Sequence, residues 1–343
     1  MVHSKIDGKT VLVTGGAGSI GSELVAKLLT DYQPKQVRIF DNNEAGLFNA
    51  TKTYHQNKKA RFLLGDVRDE DRVNWALKDV DTVFHAAALK HVELNEYSPF
   101  ESVKTNVIGT QNVLEAALSN QVETFINIST DKAANPTSTM GASKLLAERL
   151  TVGMDYFKGL NKTVFASVRF GNVLNSSGSV VPIFLQQIKS GGPVTITDKR
   201  MVRYFMTIPD AINLIFKTAA LAQGGEIFIL KMPALKIWDL AEVMIEKFGQ
   251  GKIDLKETGK KPGEKMYEKI VTRTEAEQTL ELKEMYVIPL SIDYPSTSED
   301  VVKKSHDYYR QLGGKPVPSE GVKPEKLMSK SEISKLISTA LGN

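Results

Sequence analysis

A run of glycines set between an apolar strand and an amphipathic helix limits this chain more than any other feature. Lys9-Thr10-Val11-Leu12-Val13-Thr14 has the uninterrupted β-branched character of a strand buried on both faces. Gly15-Gly16-Ala17-Gly18-Ser19-Ile20-Gly21 follows it and opens a helix over about 20–30. Glycines at 15, 18 and 21 let the chain turn tightly, approach a pyrophosphate with its backbone, and pack helix on sheet. The helix N-terminus then faces the phosphates. A glycine triplet alone marks many ordinary turns. Here the strand–turn–helix setting is correct, and an acid, Asp41, ends the next strand about twenty residues on, so binding of a dinucleotide outweighs a simple turn.

The rest of the chain continues the rhythm. Val37-Arg38-Ile39-Phe40 ends at Asp41, Arg61-Phe62-Leu63-Leu64 at Gly65-Asp66, and Thr82-Val83-Phe84-His85 runs into Ala86-Ala87-Ala88. Phe125-Ile126-Asn127-Ile128 ends at Ser129-Thr130, and Val164-Phe165-Ala166-Ser167-Val168 at Arg169. Helical patterns lie between most of these, as from Gly109 to Ala117 and from Ala142 to Leu150. Alternating strands and helices imply right-handed crossovers and a parallel sheet covered on both faces. The expected fold is α/β, a Rossmann-type doubly wound parallel sheet with a smaller C-terminal substrate-binding domain. Its first domain spans 1–171 and regains the sheet through 205–230, by a helix near 209–222 and the strand Ile227-Phe228-Ile229-Leu230. After Gly171 the rhythm breaks, with Ser176-Ser177-Gly178-Ser179 and Ser190-Gly191-Gly192-Pro193 as punctuation, so 172–204 and 231–300 are expected to cover substrate. Residues 301–343 form a lysine- and serine-rich extension to which the sequence assigns no role.

Bulk properties narrow the function. At 343 residues the chain exceeds what one core usually fills. Its net charge of +4 comes from interleaved signs, which argues against nucleic acid and suits an anionic small molecule. The absence of cysteine excludes disulfides, thiolate catalysis and thiolate metal sites, and no metal is expected. Met1-Val2-His3-Ser4-Lys5 is read as leading directly into the first strand with no apolar leader. No apolar run is long enough to span a bilayer, so the expected location is the cytoplasm.

The dinucleotide is read in more detail from the strand ends. Asp41 is placed to accept hydrogen bonds from the adenosine ribose hydroxyls. Its charge repels a 2′-phosphate, and Asn42, Asn43 and Glu44 bring no arginine beside it, which favours NAD over NADP. Asp66, before Val67, is placed for the adenine edge, and Ala86, Ala87 and Ala88 leave room for backbone close to the dinucleotide.

Taken together, several stretches carry a resemblance. These are His85-Ala86-Ala87-Ala88-Leu89-Lys90-His91-Val92, Ser129-Thr130-Asp131-Lys132-Ala133-Ala134-Asn135-Pro136, Met140-Gly141-Ala142-Ser143-Lys144, Arg169-Phe170-Gly171-Asn172-Val173, Gly178-Ser179-Val180-Val181-Pro182 and Pro262-Gly263-Glu264-Lys265. From about residue 7 to 290 the chain resembles the extended short-chain dehydrogenase/reductases, and within them the UDP-N-acetylglucosamine 4,6-dehydratases of polysaccharide and glycan biosynthesis. The superfamily places a proton-carrying tyrosine where this chain has Met140, and a thioether carries no proton. A methionine branch exists among the dehydratases, and the intact Thr130-Asp131-Lys132 fits it.

The resemblance implies a UDP-linked amino sugar as substrate and NAD as cofactor. It also implies oxidation at C4, loss of water across C5 and C6, and hydride return to C6. Asp131 is expected to protonate the departing 6-hydroxyl and Lys132 to take the C5 proton, so Asp131 must hold a proton and Lys132 must lack one. The 4-hydroxyl proton goes to Asp131 itself or through Thr130 and water. Lys144, a helical turn beyond Met140, is expected to hold the nicotinamide ribose. Asn106 is a further expected cofactor contact, beside Ser19, Ile20 and Val67.

On the substrate side the resemblance implies Asn172 and Arg203 at the diphosphate, with Lys90, Val180 and Glu264 as further contacts, Glu264 at the uridine ribose. The family's arginine before Pro262 is Lys261 here, and His91 is assigned no role. Two other functions stay open. A nucleotide-sugar 4-epimerase needs tyrosine at 140 and no Asp131-Lys132 pair, and a catalytically silent NAD-binding sensor would suit Met140. Helices around 100–117 and 142–157 are expected to pair across a two-fold axis in a homo-oligomer.

Overall fold

A computed structural model describes residues 2–176, 178–290, 299–324 and 326–342. Its first strand shows why the apolar run is continuous. In β1 (Thr10–Thr14), Val11 and Val13 join one buried cluster with Leu24 and Leu28 of the helix Ser19–Thr30. Leu12 faces the other way, into a cluster with Val73, Val113 and Leu114. Successive side chains feed two layers, so every position must be apolar or small.

Strands β2 (Gln36–Asp41), β3 (Ala60–Leu64), β4 (Thr82–His85), β5 (Thr124–Thr130) and β6 (Val164–Phe170) run parallel with it in the order β3-β2-β1-β4-β5-β6. The strand Glu226–Leu230 adds in parallel beside β6. Met285–Ile288, Leu280–Glu281 and Lys315–Pro316 then continue the sheet antiparallel, giving ten strands among the described residues. The doubly wound parallel sheet is therefore present.

Beyond the sheet lies a smaller layer. Asn172–Val173, Val202–Met206 and Ala234–Lys236 form one short sheet, and Val194–Ile196 pairs with Leu255–Glu257 in another. The helices Val180–Lys189 and Ile237–Phe248 close over Leu174, Phe184, Phe205, Leu240 and Met244.

Three places differ from the sequence reading. A short helix, Val2–Ile6, precedes β1 where the chain was read as entering the strand directly, because Ile6 is fully buried and Thr82 Oγ1 donates to the Lys5 carbonyl at 2.9 Å. The strands at 280–288, inside the span expected to cover substrate, instead extend the main sheet. The 301–343 extension supplies an edge strand and a helix, Lys330–Leu341, whose Ile333 and Ile337 pack into the smaller layer's cluster. Ser177 and residues 291–298, named in the sequence reading, lie outside the described residues. No helix among the described residues is long and apolar enough to cross a membrane.

One buried charge cluster ties these layers together. Arg169 on β6 is fully buried and donates to Glu148 of the helix Thr139–Phe157 at 3.0 and 2.6 Å, and to Glu275 at 3.1 and 2.8 Å. Arg169→Met would leave two carboxylates without their cation and is expected to cost about 3–5 kcal/mol. The exposed pair Lys104–Glu101 should contribute little by comparison. Urea unfolding of Arg169→Met and Lys104→Ala measures both, and equal small losses would show that the buried cluster is not structural.

Candidate active site

At the C-terminal ends of the parallel strands the glycine turn is fixed by contact. Gly15 has φ +64, and a Cβ there would stand 2.7 Å from the Ala87 amide nitrogen. A Cβ on Gly21 would stand 2.0 Å from the Gly15 carbonyl oxygen, so only glycine allows the helix to start here. Gly18 is the N-cap and supplies no capping side chain, so the helix starts without a side-chain cap.

Asp41 is oriented by the Ala17 and Asn43 amides, each at 2.9 Å, and each carboxylate oxygen keeps a lone pair for a further donor. Asp66 is held down to about 2 chiefly by hydrogen bonds from Arg68, which also pairs with Glu101 at 2.8 Å. The sequence did not point to Arg68, because only residues next to Asp41 were weighed. In space Asn42 reaches Asp66 at 3.1 Å, so this arginine lies near the Asp41 strand end, held between two carboxylates. Val67 is buried, with its carbonyl held by Asn112 at 3.0 Å.

The loop Ala86-Ala87-Ala88 is anchored by Ala86 N to Thr14 O at 3.1 Å and by Leu89 N to Asn106 Oδ1 at 2.8 Å. Asn106 was expected at the cofactor itself. Its amide donates both N–H groups, to Leu89 O at 3.0 Å and to Ser143 Oγ at 2.9 Å, so it positions the loop instead. Beneath, His85 bridges Thr14 and Thr110 at 2.8 and 3.0 Å, and burial, aided by the Lys144 charge, lowers it to about 3. It stays neutral and structural at ordinary pH.

Asp131 and Lys132, the expected acid and base, sit on a 3₁₀ turn, Asp131–Ala133, at the end of β5. Thr130 Oγ1 donates to Asp131 Oδ1 at 2.9 Å, and Lys132 Nζ reaches the same oxygen at 2.9 Å. Asp131 is fully buried, and its Oδ2 has no partner among the described residues. Parallel pairing sets Thr130 opposite Phe170, which places the turn beside Gly171-Asn172. The helix bearing Met140 and Lys144 packs its first turn on this turn: a Cβ on Gly141 would lie 2.5 Å from the Lys132 carbonyl oxygen. Met140 is 4% exposed and Lys144 5%. Burial lowers Lys144 to about 8 against an opposing pull from Glu148, and among the described residues its ammonium has no hydrogen-bond partner. A buried, unpaired ammonium beside a glycine cradle fits the ribose of a nicotinamide dinucleotide.

Substrate-side residues divide. Arg203, 7% exposed, spends three of its five N–H groups on the carbonyls of Val202, Lys265 and Met266, which leaves two for a ligand. Asn172 donates to Tyr204 O at 3.0 Å and accepts from Lys132 Nζ at 3.2 Å. Glu264 accepts from Lys261 N at 2.9 Å, and Lys261 pairs with Glu93 at 2.7 Å across the mouth of the cleft. Val180 opens its helix beside Ser179, whose buried hydroxyl is unpartnered, and a Cβ on Gly178 would touch His91. Lys90 is exposed at the end of the loop. Lys265 Nζ, also unforeseen, reaches Ala134 O at 3.0 Å and ties the Pro262–Lys265 loop to the acid–base turn. Among the described residues no group of three or more His, Asp or Glu is placed to hold a metal ion.

Comparison with known proteins gives the site a setting. The family described as polysaccharide biosynthesis protein matches residues 11–290. An uncharacterized membrane protein of Methanocaldococcus jannaschii is 54% identical over 83% of this chain and 87% of its own. A UDP-N-acetylglucosamine 4,6-dehydratase (inverting) of Campylobacter jejuni is 38% identical over 86% of each chain. A UDP-glucose 4-epimerase of Rickettsia canadensis is also 38% identical, over 82% of this chain and 83% of its own. Among solved structures, Pen from Bacillus thuringiensis superposes with a TM-score of 0.89 at 40% identity, covering 98% of each chain.

The buried Lys144 carries a pH prediction. Its folded value of about 8 lies below the ordinary 10.5, so between these values the unfolded chain binds the extra proton and stability rises with pH. Lysine side-chain NMR should show one group titrating near 8, absent in Lys144→Met, and that variant should lose the rise. Titration of every lysine near the ordinary value would overturn the assignment.

Proposed function

The chain belongs to the polysaccharide-biosynthesis family of extended short-chain dehydrogenase/reductases, and from that premise we propose that it catalyses NAD-dependent 4,6-dehydration of UDP-N-acetylglucosamine. The observation that carries this is the buried Asp131, hydrogen-bonded to both Thr130 and Lys132, facing a helix with methionine at the tyrosine position. An epimerase needs a proton carrier at position 140, and a thioether is not one.

Gly15, Gly18, Gly21, Asp41, Asp66 and Lys144 would hold a nicotinamide dinucleotide, which supplies a hydride store, emptied at C6 after it is filled from C4. Asp41 and the capture of Arg68 by Asp66 and Glu101 support NAD over NADP, because neither leaves a free cation for a 2′-phosphate. Asp131 accepts the 4-hydroxyl proton on its unpartnered Oδ2 and becomes the acid. Lys132, as the amine, takes the C5 proton, which the new ketone has acidified. Asp131 then gives its proton to the 6-hydroxyl, which leaves as water, and Lys132 returns a proton to C5. The 4-hydroxyl proton and the 6-hydroxyl account for the water lost, and both side chains regain their starting forms.

Exposed apolar residues on the helices flanking this site, Phe100 at 78%, Val103 at 45%, Leu146 at 50% and Phe157 at 72%, support a homo-oligomer built on that face. Light scattering should give more than the mass of one chain, falling in Phe100→Glu/Leu146→Glu. A wild type at the mass of one chain would end this assignment.

Incubation with UDP-N-acetylglucosamine and NAD should yield a nucleotide sugar lighter by one water, with slower conversion when NADP replaces NAD. In deuterated solvent the label should enter C5. Asp131→Asn and Lys132→Met should each lower turnover about 10²–10⁴-fold in folded protein. A product of unchanged mass would mark an epimerase, and unaltered substrate a silent binder.

A further inference from the structure

Asn172 was expected to meet the diphosphate, yet its amide is engaged at both ends. Nδ2 donates to the Tyr204 carbonyl at 3.0 Å, and Oδ1 accepts from Lys132 Nζ at 3.2 Å. A carbonyl oxygen only accepts and an ammonium only donates, so the amide has one workable orientation. The backbone enforces it. Asn172–Val173 pairs in parallel with Phe205 and Met206, and Gly171 permits the close approach, since a Cβ there would stand 2.9 Å from the Tyr204 carbonyl oxygen. Asn172 thereby transfers the position of the strand Val202–Met206 onto one atom, Lys132 Nζ.

That atom has another acceptor, Asp131 Oδ1 at 2.9 Å. A neutral lysine amine has two N–H groups and one lone pair. With the two N–H groups directed at Asp131 and Asn172, a single direction remains for the lone pair. An amide suits this duty better than a carboxylate, because it orients the nitrogen without adding an anion that would hold its proton.

We propose that Asn172 is a positioning residue that, together with Asp131, aims the Lys132 lone pair at the sugar C5. This rests on Lys132 being the base of the dehydration proposed above. Because Asn172 meets Lys132 Nζ directly, its loss should fall on the chemical step, whatever its second amide N–H binds. Misplacement of a reacting group by about 1 Å can cost about 10²-fold.

The test uses the full chain with UDP-N-acetylglucosamine and reads kcat, KM and deuterium entry at C5. Asn172→Ala should lower kcat about 10²-fold with KM little changed, and C5 labelling should slow in step. Asn172→Asp keeps the shape, so it guards against an unfolded alanine variant. It keeps an acceptor for Lys132 Nζ but cannot donate to the Tyr204 carbonyl, so kcat should again fall with KM little changed. A raised KM with kcat intact in both variants would make Asn172 a diphosphate ligand and overturn the proposal, as would unchanged values of both. Failure of the wild type to release water would instead strike the dehydratase assignment itself, so the two failures are distinct.

Discussion

The guanidinium of Arg169 is the contact on which the rest of the molecule depends. Its five N–H groups all find acceptors: Glu148 takes two, Glu275 takes two, and the Ile270 carbonyl takes one at 2.9 Å. Desolvating three charged groups costs several kcal/mol each, and only complete pairing offsets that. The cluster joins β6, which leads into Asn172, to the helix that carries Met140 and Lys144, and to the segment 270–275. It also carries one more negative than positive charge. Glu148 lies one turn from Lys144, and its charge opposes the burial that would strip the lysine's proton. The same cluster that closes the core therefore keeps a cation under the cleft.

The fold leaves some buried polar groups unsatisfied, and several of them lie along and just beyond β5. Asn127 Oδ1 and Ser129 Oγ alternate along β5 on one face, and Asp131 Oδ2 lies on the turn that follows the strand. Tyr204, on the strand that Asn172 holds, adds a buried hydroxyl without a partner, and both burial and the Asp131 charge oppose its ionisation. Each unmade hydrogen bond costs about 1–3 kcal/mol. The Thr14–His85–Thr110 chain is satisfied, whereas Thr124 Oγ1 at the start of β5 is not. A ligand that satisfied Asp131 Oδ2 would add to the stability of the folded state.

What the sequence made legible was local. The glycine turn could be read because much of its constraint is local: Gly15 has a positive φ, and a Cβ on Gly21 would meet the Gly15 carbonyl. The strand ends could be read because an apolar run stops where a polar residue begins. The roles of Asn106, Arg203 and Asn172 could not, since each is decided by a partner 17 to 63 residues away. Arg68 was missed for the same reason: Asp66 brings it near the Asp41 strand end through Asn42. The strands at 280–288 and 315–316 are short and lack a strong alternating pattern, so only their pairing with Glu226–Leu230 and with each other defines them.

Asp131 and Lys132 sit on a turn, and turns hold geometry poorly unless their surroundings fix them. Here the fixing elements form a closed circuit of hydrogen bonds. It runs from Lys132 to Asn172, through the strand Val202–Met206 to Arg203, on to the carbonyls of Lys265 and Met266, and back through Lys265 Nζ to Ala134. Arg203 in that circuit meets only carbonyl oxygens. Carbonyls orient a guanidinium without neutralising it, so its charge survives inside a wall that is almost wholly buried. A carboxylate at any of those three places would have oriented Arg203 equally well and cancelled its charge. Backbone oxygens instead leave that charge uncancelled.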